Sequence, residues 1–171
     1  MLVGFMGTGK TTIGRAAARL LRFRFVDTDQ WIERQEGRKV AAIFRTEGEE
    51  SFRRKEEAAI ATLSNESGLV LATGGGCLTR PANVEALKRS GLLVCLAAKP
   101  EVVLARTGSR RSRPLLAGAA DPLARIRQLM DARSEVYAQA DVTVDTSDLS
   151  AAEVASKVVD LWRSHLADPG G

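Results

Sequence analysis

The chain has 171 residues, of which 44% are hydrophobic and 27% are charged, and this size and composition predict one soluble globular domain. Its two cysteines lack metal-type spacing and it has one histidine, which excludes a zinc site and a disulfide framework; the apolar runs are too short for a transmembrane span or a secretory signal. The 25 basic residues exceed the 21 acidic ones by four, which is either ordinary surface charge or a sign of an anionic partner. With 5% aromatics and no polybasic tail, a partner is expected to be a small anionic ligand rather than nucleic acid or a membrane.

Short apolar runs alternate with helical patterns along the chain. Such runs are typical of strands buried on both faces, and the alternation predicts a parallel sheet with helices on both sides. The predicted strands are Met1–Gly4, Phe23–Asp27, Gly68–Ala72, Gly91–Ala97 and Asp141–Asp145. The predicted helices are Lys10–Leu21, Asp29–Glu36, Val40–Arg45, Glu47–Asn65, Pro81–Ser90, Pro100–Arg106, Pro122–Ala138 and Ala151–Leu166. The segment 106–122 is rich in Gly, Ser, Arg and Pro and is predicted to be a mobile loop within the domain.

Residues 4–11 read GFMGTGKT, which matches the phosphate-loop pattern G-x-x-x-x-G-K-T. A strand-like run precedes it and a helical pattern follows, which makes a chance match to a glycine-rich turn the weaker alternative. Glycines let backbone N–H groups converge on phosphates, and the helix dipole adds a positive end. We expect the Lys10 ammonium to reach the β- and γ-phosphates of a nucleotide and the Thr11 hydroxyl to bind Mg²⁺.

Two acids follow the second predicted strand in the sequence FVDTDQWI. Side chains two residues apart lie on the same side of a strand, and ligands bind at the carboxyl ends of parallel strands. Asp27 and Asp29 are therefore candidates for the same crevice as the phosphate loop. The alternative is that Asp29 caps a helix beginning at Gln30.

Three further stretches supply candidate anion-binding arginines. Each has an alternative interpretation: surface ion pairs along a charged helix for Arg53, a solvated loop for the arginines of 106–113, and a solvent-facing position for Arg133. A mobile arginine-rich segment could also close over a triphosphate and stabilise the transferred charge. The stretches are GEESFRRKEEA with Arg53, RTGSRRSRPLL with Arg106, Arg110, Arg111 and Arg113, and LMDARSEVY with Arg133.

Together these motifs resemble shikimate kinase, a family of small P-loop kinases. The resemblance spans nearly the whole chain and is most specific in D-T-D, F-R-R-x-E, T-G-G-G, R-P-L-L and R-x-x-x-Y. It implies an α/β fold, namely a three-layer αβα P-loop NTPase with a five-stranded parallel sheet, formed by a single domain, 1–171. Within that domain it implies a helical substrate-binding insertion at about 29–65 and a mobile lid loop at about 106–122. It also implies transfer of the γ-phosphoryl group of ATP to the 3-hydroxyl of shikimate with Mg²⁺.

The resemblance assigns roles to matching positions. It implies that Thr11 and Asp27 serve the metal, and that Lys10, Asp29 and Arg113 are catalytic, with Asp29 also binding the substrate hydroxyls. Phe44, Phe52 and Glu56 match positions that line or brace the substrate pocket. The implied nucleotide-binding residues are Gly7, Thr8, Gly9, Lys10, Thr11, Thr12, Arg106 (against adenine) and Arg113; the implied shikimate-binding residues are Asp29, Arg53, Gly75, Gly76 and Arg133.

The glycines of VLATGGGCLTR are costly to order, and the resemblance implies that their bare backbone contacts shikimate. A side chain at Gly75 or Gly76 is then expected to occupy the substrate's space; the alternative is a flexible turn into the helix at Pro81.

Two other functions stay open at this point, a gluconate-type kinase and a basic P-loop module that binds nucleic acid or a protein. We expect a cytoplasmic monomer.

Overall fold

The computed structural model describes residues 1–107 and 120–167. Five strands form one all-parallel sheet in the order β2-β3-β1-β4-β5, which confirms the predicted fold class. The strands are β1 Leu2–Gly4, β2 Arg24–Asp27, β3 Leu69–Ala72, β4 Val94–Ala97 and β5 Val142–Asp145. The helices are α1 Lys10–Leu21, α2 Thr28–Glu36, α3 Val40–Leu63, α4 Pro81–Arg89, α5 Pro100–Thr107, α6 Pro122–Asp131, α7 Ser134–Tyr137 and α8 Ala151–Ala167, with a 3₁₀ turn at Cys77–Thr79.

Apolar side chains fill both faces of the sheet. On one face, Leu2, Val70 and Leu96 pack with side chains of α1 and α8. On the other, Val3 and Leu71 pack with side chains of α3 and α4. The three central strands are almost wholly buried, whereas the edge strands β2 and β5 are partly exposed, because only the central strands are covered by neighbours on all sides. Within the described ranges, no helix is long and apolar enough to cross a membrane.

The strand order brings three chain segments together at the carboxyl edge of the sheet. In register, Ala72 of β3 lies opposite both Asp27 of β2 and Leu2 of β1. The three glycines that follow β3 therefore lie between the end of β2 and the loop that follows β1. This edge, where the strand order switches direction, is where ligands bind in open α/β sheets.

The prediction of one continuous helix over Pro122–Ala138 was wrong. The structure has two helices, and Arg133 lies between them with φ −118° and ψ 3°. The Ser134 hydroxyl donates a hydrogen bond to the Asp131 carbonyl at 2.8 Å, and such side-chain bonds compete with helical hydrogen bonding. The break takes Arg133 out of the helical register that would have favoured a solvent-facing position.

Two other predicted helix boundaries also differ. The two helices predicted at Val40–Arg45 and Glu47–Asn65 are the two halves of α3, and the break between them lies at Gly48, which has non-helical torsions (φ 81°, ψ 175°) that favour glycine. Helix α2 begins at Thr28, one residue earlier than predicted, and its N-cap is Asp27. Asp29 is therefore neither a strand residue nor the cap, and it lies in the first turn of α2.

Candidate active site

A cleft of about 1310 Å³ opens at the carboxyl edge of the sheet. It places residues from the phosphate loop, α2, α3, the glycine segment and the α6–α7 break around one space. The predicted site residues that line it are Gly7, Gly9, Lys10, Thr11, Thr12, Asp27, Asp29, Arg53, Gly75, Gly76, Arg106 and Arg133. The other predicted contacts are Thr8, whose side chain is buried beneath the loop, and Arg113, which lies outside the described residues together with Arg110, Arg111 and most of the predicted lid.

The phosphate loop is held in shape by its own hydrogen bonds. Gly9 caps α1 in the left-handed region (φ 95°), and no side chain of the described residues caps the first turn, so the helix N-terminus presents backbone N–H groups to the cleft. The Thr8 hydroxyl donates to the Phe5 carbonyl at 2.8 Å. The Lys10 ammonium donates to the carbonyls of Gly4 and Phe5, each at 2.8 Å. The loop is therefore ordered before any phosphate binds.

The candidate metal residues lie in direct contact. The Thr11 hydroxyl donates to Asp27 Oδ2 at 2.9 Å, and Asp27 Oδ1 accepts the Gln30 backbone N–H at 3.3 Å. In the described part of the chain, no group of three or more His, Cys, Asp or Glu side chains could hold a metal ion by itself. An oxygen pair of this kind fits Mg²⁺, which keeps several waters and is completed by substrate phosphates.

Asp29 and Glu56 line the cleft, and each has one fully buried carboxylate oxygen. Asp29 Oδ1 and Glu56 Oε1 are buried and have no hydrogen-bond partner among the described residues. Burial, followed by the negative charges of Asp27 and Glu56, raises the pKa of Asp29 to about 6, against the opposing charges of Lys10 and Arg53. Both oxygens lie against the backbone of Gly74. Because Asp29 also lines the cleft, its carboxylate is a candidate acceptor for a ligand hydroxyl.

The two candidate carboxylate-binding arginines flank the glycine segment. Arg53, on α3, donates to Glu56 at 2.7 Å and to Glu49 at 3.0 Å. Arg133, at the α6–α7 break, has its NH1 group 3.4 Å from the Gly75 carbonyl oxygen. Each guanidinium also lies over an aromatic ring: Arg53 is 5.4 Å from the ring centre of Phe52, and Arg133 is 5.9 Å from that of Phe5.

Close approach and not backbone torsion accounts for Gly74 and Gly76, because none of the three glycines has a positive φ; a Cβ atom on Gly75 would lie no closer than 3.4 Å to another group. A Cβ atom on Gly76 would lie 2.5 Å from Arg53 NH2, and one on Gly74 would lie 2.7 Å from Glu56 Oε1 and 2.9 Å from Asp29 Oδ1. A side chain at Gly76 was expected to clash with the ligand. In the structure it would already clash with the protein's own Arg53. The glycines let the charged side chains of the pocket pack directly against the backbone that follows β3.

Sequence reasoning missed three side chains that position the site. The Tyr137 hydroxyl donates to the Gly75 carbonyl at 2.7 Å, and the buried Thr28 hydroxyl accepts the Gly74 N–H at 3.2 Å. Thr146, after β5, accepts from Arg106 NH1 at 2.9 Å and donates to the Thr8 carbonyl at 3.3 Å. The R-x-x-x-Y spacing was the one available signal, because residues four apart on a helix share a face.

A phosphate-binding loop at the carboxyl edge of a parallel sheet, facing acids and arginines across one cleft, defines a P-loop phosphotransferase for a small anionic acceptor. The family model for shikimate kinase matches residues 6–163. The shikimate kinase of Thiobacillus denitrificans is 49% identical over 176 residues, covering 99% of this chain and 96% of that protein. The solved structure of shikimate kinase from Acinetobacter baumannii in complex with shikimate has a TM-score of 0.88 and 41% identity, covering 96% of this chain and 92% of that one. The chain belongs to the shikimate kinase family.

The gluconate alternative has no comparable support. A gluconokinase from Sinorhizobium meliloti has a TM-score of 0.54 and 17% identity, a likeness that shows the fold alone.

Proposed function

We propose that this chain transfers the γ-phosphoryl group of ATP to the 3-hydroxyl of shikimate, giving shikimate 3-phosphate and ADP. The observation that carries this proposal is the convergence of Arg53, Arg133 and the Asp29 carboxylate on one glycine segment. Shikimate combines a carboxylate with three hydroxyls. Its carboxylate suits the planar fork of arginine, and its hydroxyls suit a carboxylate acceptor such as Asp29.

The acceptor is held by both sides of the glycine segment. Arg53 and Arg133 bind the carboxylate, and the Asp29 carboxylate accepts a hydrogen bond from the attacking hydroxyl. The Tyr137 and Thr28 bonds fix the backbone of Gly75 and Gly74, so that the acceptor meets a preformed surface. Fixing the two reactants in line is a large part of catalysis of phosphoryl transfer.

Transfer forms a bond between the acceptor oxygen and the γ-phosphorus and breaks the bond from that phosphorus to the bridging oxygen of ADP. The acceptor proton passes to the Asp29 carboxylate, whose raised pKa makes it a better base than an ordinary aspartate. Lys10 and the first-turn N–H groups of α1 stabilise the charge on the phosphates. Bound Mg²⁺, held by Thr11 and through water by Asp27, would neutralise phosphate charge. Arg113 remains predicted to act from the lid, and Arg106 to lie against adenine.

A coupled assay of ADP release tests the proposal directly. Shikimate should support turnover and gluconate should not. Lys10→Ala should lower kcat at least about 100-fold, because it removes a charge that stabilises the transferred phosphoryl group. The exposed Lys157 provides the matched control, and Lys157→Ala should retain activity. Turnover with gluconate alone, or salt-sensitive DNA binding without turnover, would contradict the assignment.

We also propose that the chain acts as a cytoplasmic monomer with one kinase domain, 1–171, in which about 29–65 bind the acceptor and about 106–122 form the lid. Residues 29–65 contribute Asp29, Arg53 and Glu56 to the cleft, which supports that division. Size-exclusion chromatography with light scattering should give a mass near 18.4 kDa.

A further inference from the structure

The guanidinium of Arg53 binds two glutamates of the same helix, α3. Its NH1 group donates to Glu56 Oε2 at 2.7 Å. Its Nε and NH2 groups both face Glu49 Oε1, at 3.3 and 3.0 Å. The edge formed by Nε and NH2 carries two parallel N–H groups, and such an edge binds a carboxylate in two-pronged fashion. Glu49 therefore occupies donors that a ligand carboxylate would use.

The two glutamates differ in how easily they can be released. The Glu56 side chain is fully buried, whereas that of Glu49 is 67% exposed. Removing one partner from a buried ion pair leaves an uncompensated charge and is costly, but an exposed pair contributes little to stability. A ligand carboxylate can thus replace Glu49 and leave the Arg53–Glu56 pair intact.

Glu49 also has a favourable environment after it leaves Arg53. It directly follows the kink at Gly48, so it lies in the first turn of the second half of α3. Negative charge at the N-terminus of a helix is stabilised by the helix dipole. Its neighbour Glu50 lies in the same turn but forms an ion pair with Arg80, and therefore shares the charge and location of Glu49 without touching Arg53.

We propose that Glu49 is a placeholder carboxylate that occupies Arg53 in the ligand-free protein and is displaced by the carboxylate of the acceptor. The inference rests on the proposed function, in which Arg53 binds that carboxylate. The buried Glu56 keeps the guanidinium in place, whereas Glu49 competes with the acceptor carboxylate for the Nε and NH2 donors. Acceptor affinity is therefore lower than the arginines alone would give.

Calorimetric titration of shikimate into the nucleotide-free protein tests this competition. Glu49→Gln should lower the Kd for shikimate about two- to fivefold, the range for loss of an exposed ion pair. The KM for shikimate should fall in parallel, while the KM for ATP stays unchanged. The gain should shrink at high salt, because screening already weakens the wild-type contact. Glu50→Gln should leave all three constants unchanged.

An unchanged or higher Kd in Glu49→Gln would overturn the placeholder role, the higher value indicating instead that Glu49 orients Arg53 for binding. An equal fall in Glu50→Gln would overturn it as well, since the cause would be net charge. If the wild-type protein released no ADP with shikimate, the proposed function would fail and this inference with it. If the wild-type protein turned over shikimate but Glu49→Gln did not lower the Kd, or Glu50→Gln lowered it equally, the placeholder inference would fail and the proposed function would stand.

Discussion

Replacing Asp29 by asparagine should stabilise the ligand-free protein while it slows catalysis. The carboxyl of Asp29 is held in a mostly buried position beside Asp27 and Glu56, and its pKa is raised to about 6. In the unfolded chain the same group has an ordinary pKa of about 4. The folded state therefore disfavours the charged form, which is the form present at neutral pH.

The sign and size of the effect follow from proton linkage. Below pH 4 both states hold the proton and Asp29 does not affect the free energy of unfolding. Between about pH 4 and 6 the unfolded state loses its proton first, so stability falls as pH rises. Each pKa unit of difference between the folded and unfolded states corresponds to about 1.4 kcal/mol. The rise from 3.8 to about 6 therefore lowers the free energy of unfolding by about 3 kcal/mol by pH 7. The asparagine side chain would carry no charge in either state, but its amide would stay partly buried, so we expect a gain of about 1–3 kcal/mol.

Urea unfolding of nucleotide-free protein in EDTA, at pH 7.5 and pH 4.5, measures this gain. D29N should exceed the wild type by about 1–3 kcal/mol at pH 7.5 and by less than about 1 kcal/mol at pH 4.5. Asp160 is a suitable control because its side chain is 67% exposed; Asp160→Asn should change the free energy of unfolding by less than about 1 kcal/mol. A D29N protein that is less stable at pH 7.5, or equally stabilised at both pH values, would refute the reasoning. Its kcat should fall at least about 100-fold, because the acceptor of the hydroxyl proton is lost.

The remaining predictions concern the glycine segment. Gly76→Ala should raise the Kd for shikimate at least about tenfold and leave the Kd for ATP unchanged, because the new methyl group would displace the Arg53 guanidinium; equal effects on both ligands in calorimetry would argue against this cause. Tyr137→Phe should raise the KM for shikimate about three- to tenfold with little change in the KM for ATP, since it removes one hydrogen bond to Gly75. A fall in melting temperature with both KM values unchanged would mean that the Tyr137 hydroxyl serves stability alone.

Apolar periodicity and glycine spacing are local signals and were sufficient for the sheet and the phosphate loop. The acceptor-binding residues of the cleft were assigned that role only through the resemblance to a family. The sequence could not give the α6–α7 break, which depends on the competition between Ser134 and helical hydrogen bonding at Asp131. The role of the glycines was also hidden, because the clash at Gly76 comes from Arg53, a residue 23 positions earlier. The raised pKa of Asp29 likewise depends on burial and on charges brought together only by the fold. The last two features are tertiary, because Arg53 is distant in the sequence from Gly76, and Glu56 from Asp29.

The donor and acceptor halves of the cleft are distributed differently along the chain. The phosphate loop lies in one stretch of nine residues, 4–12, whereas the proposed acceptor pocket draws on α2, α3, the glycine segment and the α6–α7 break. A change of acceptor therefore requires compatible substitutions in four separate segments, each of which touches another through Arg53, Asp29 or Gly75. Single substitutions in the pocket should show strong epistasis, while the phosphate loop can be inherited unchanged. Directed evolution towards a new acceptor is expected to succeed with combinatorial libraries across these segments and to stall when positions are varied one at a time.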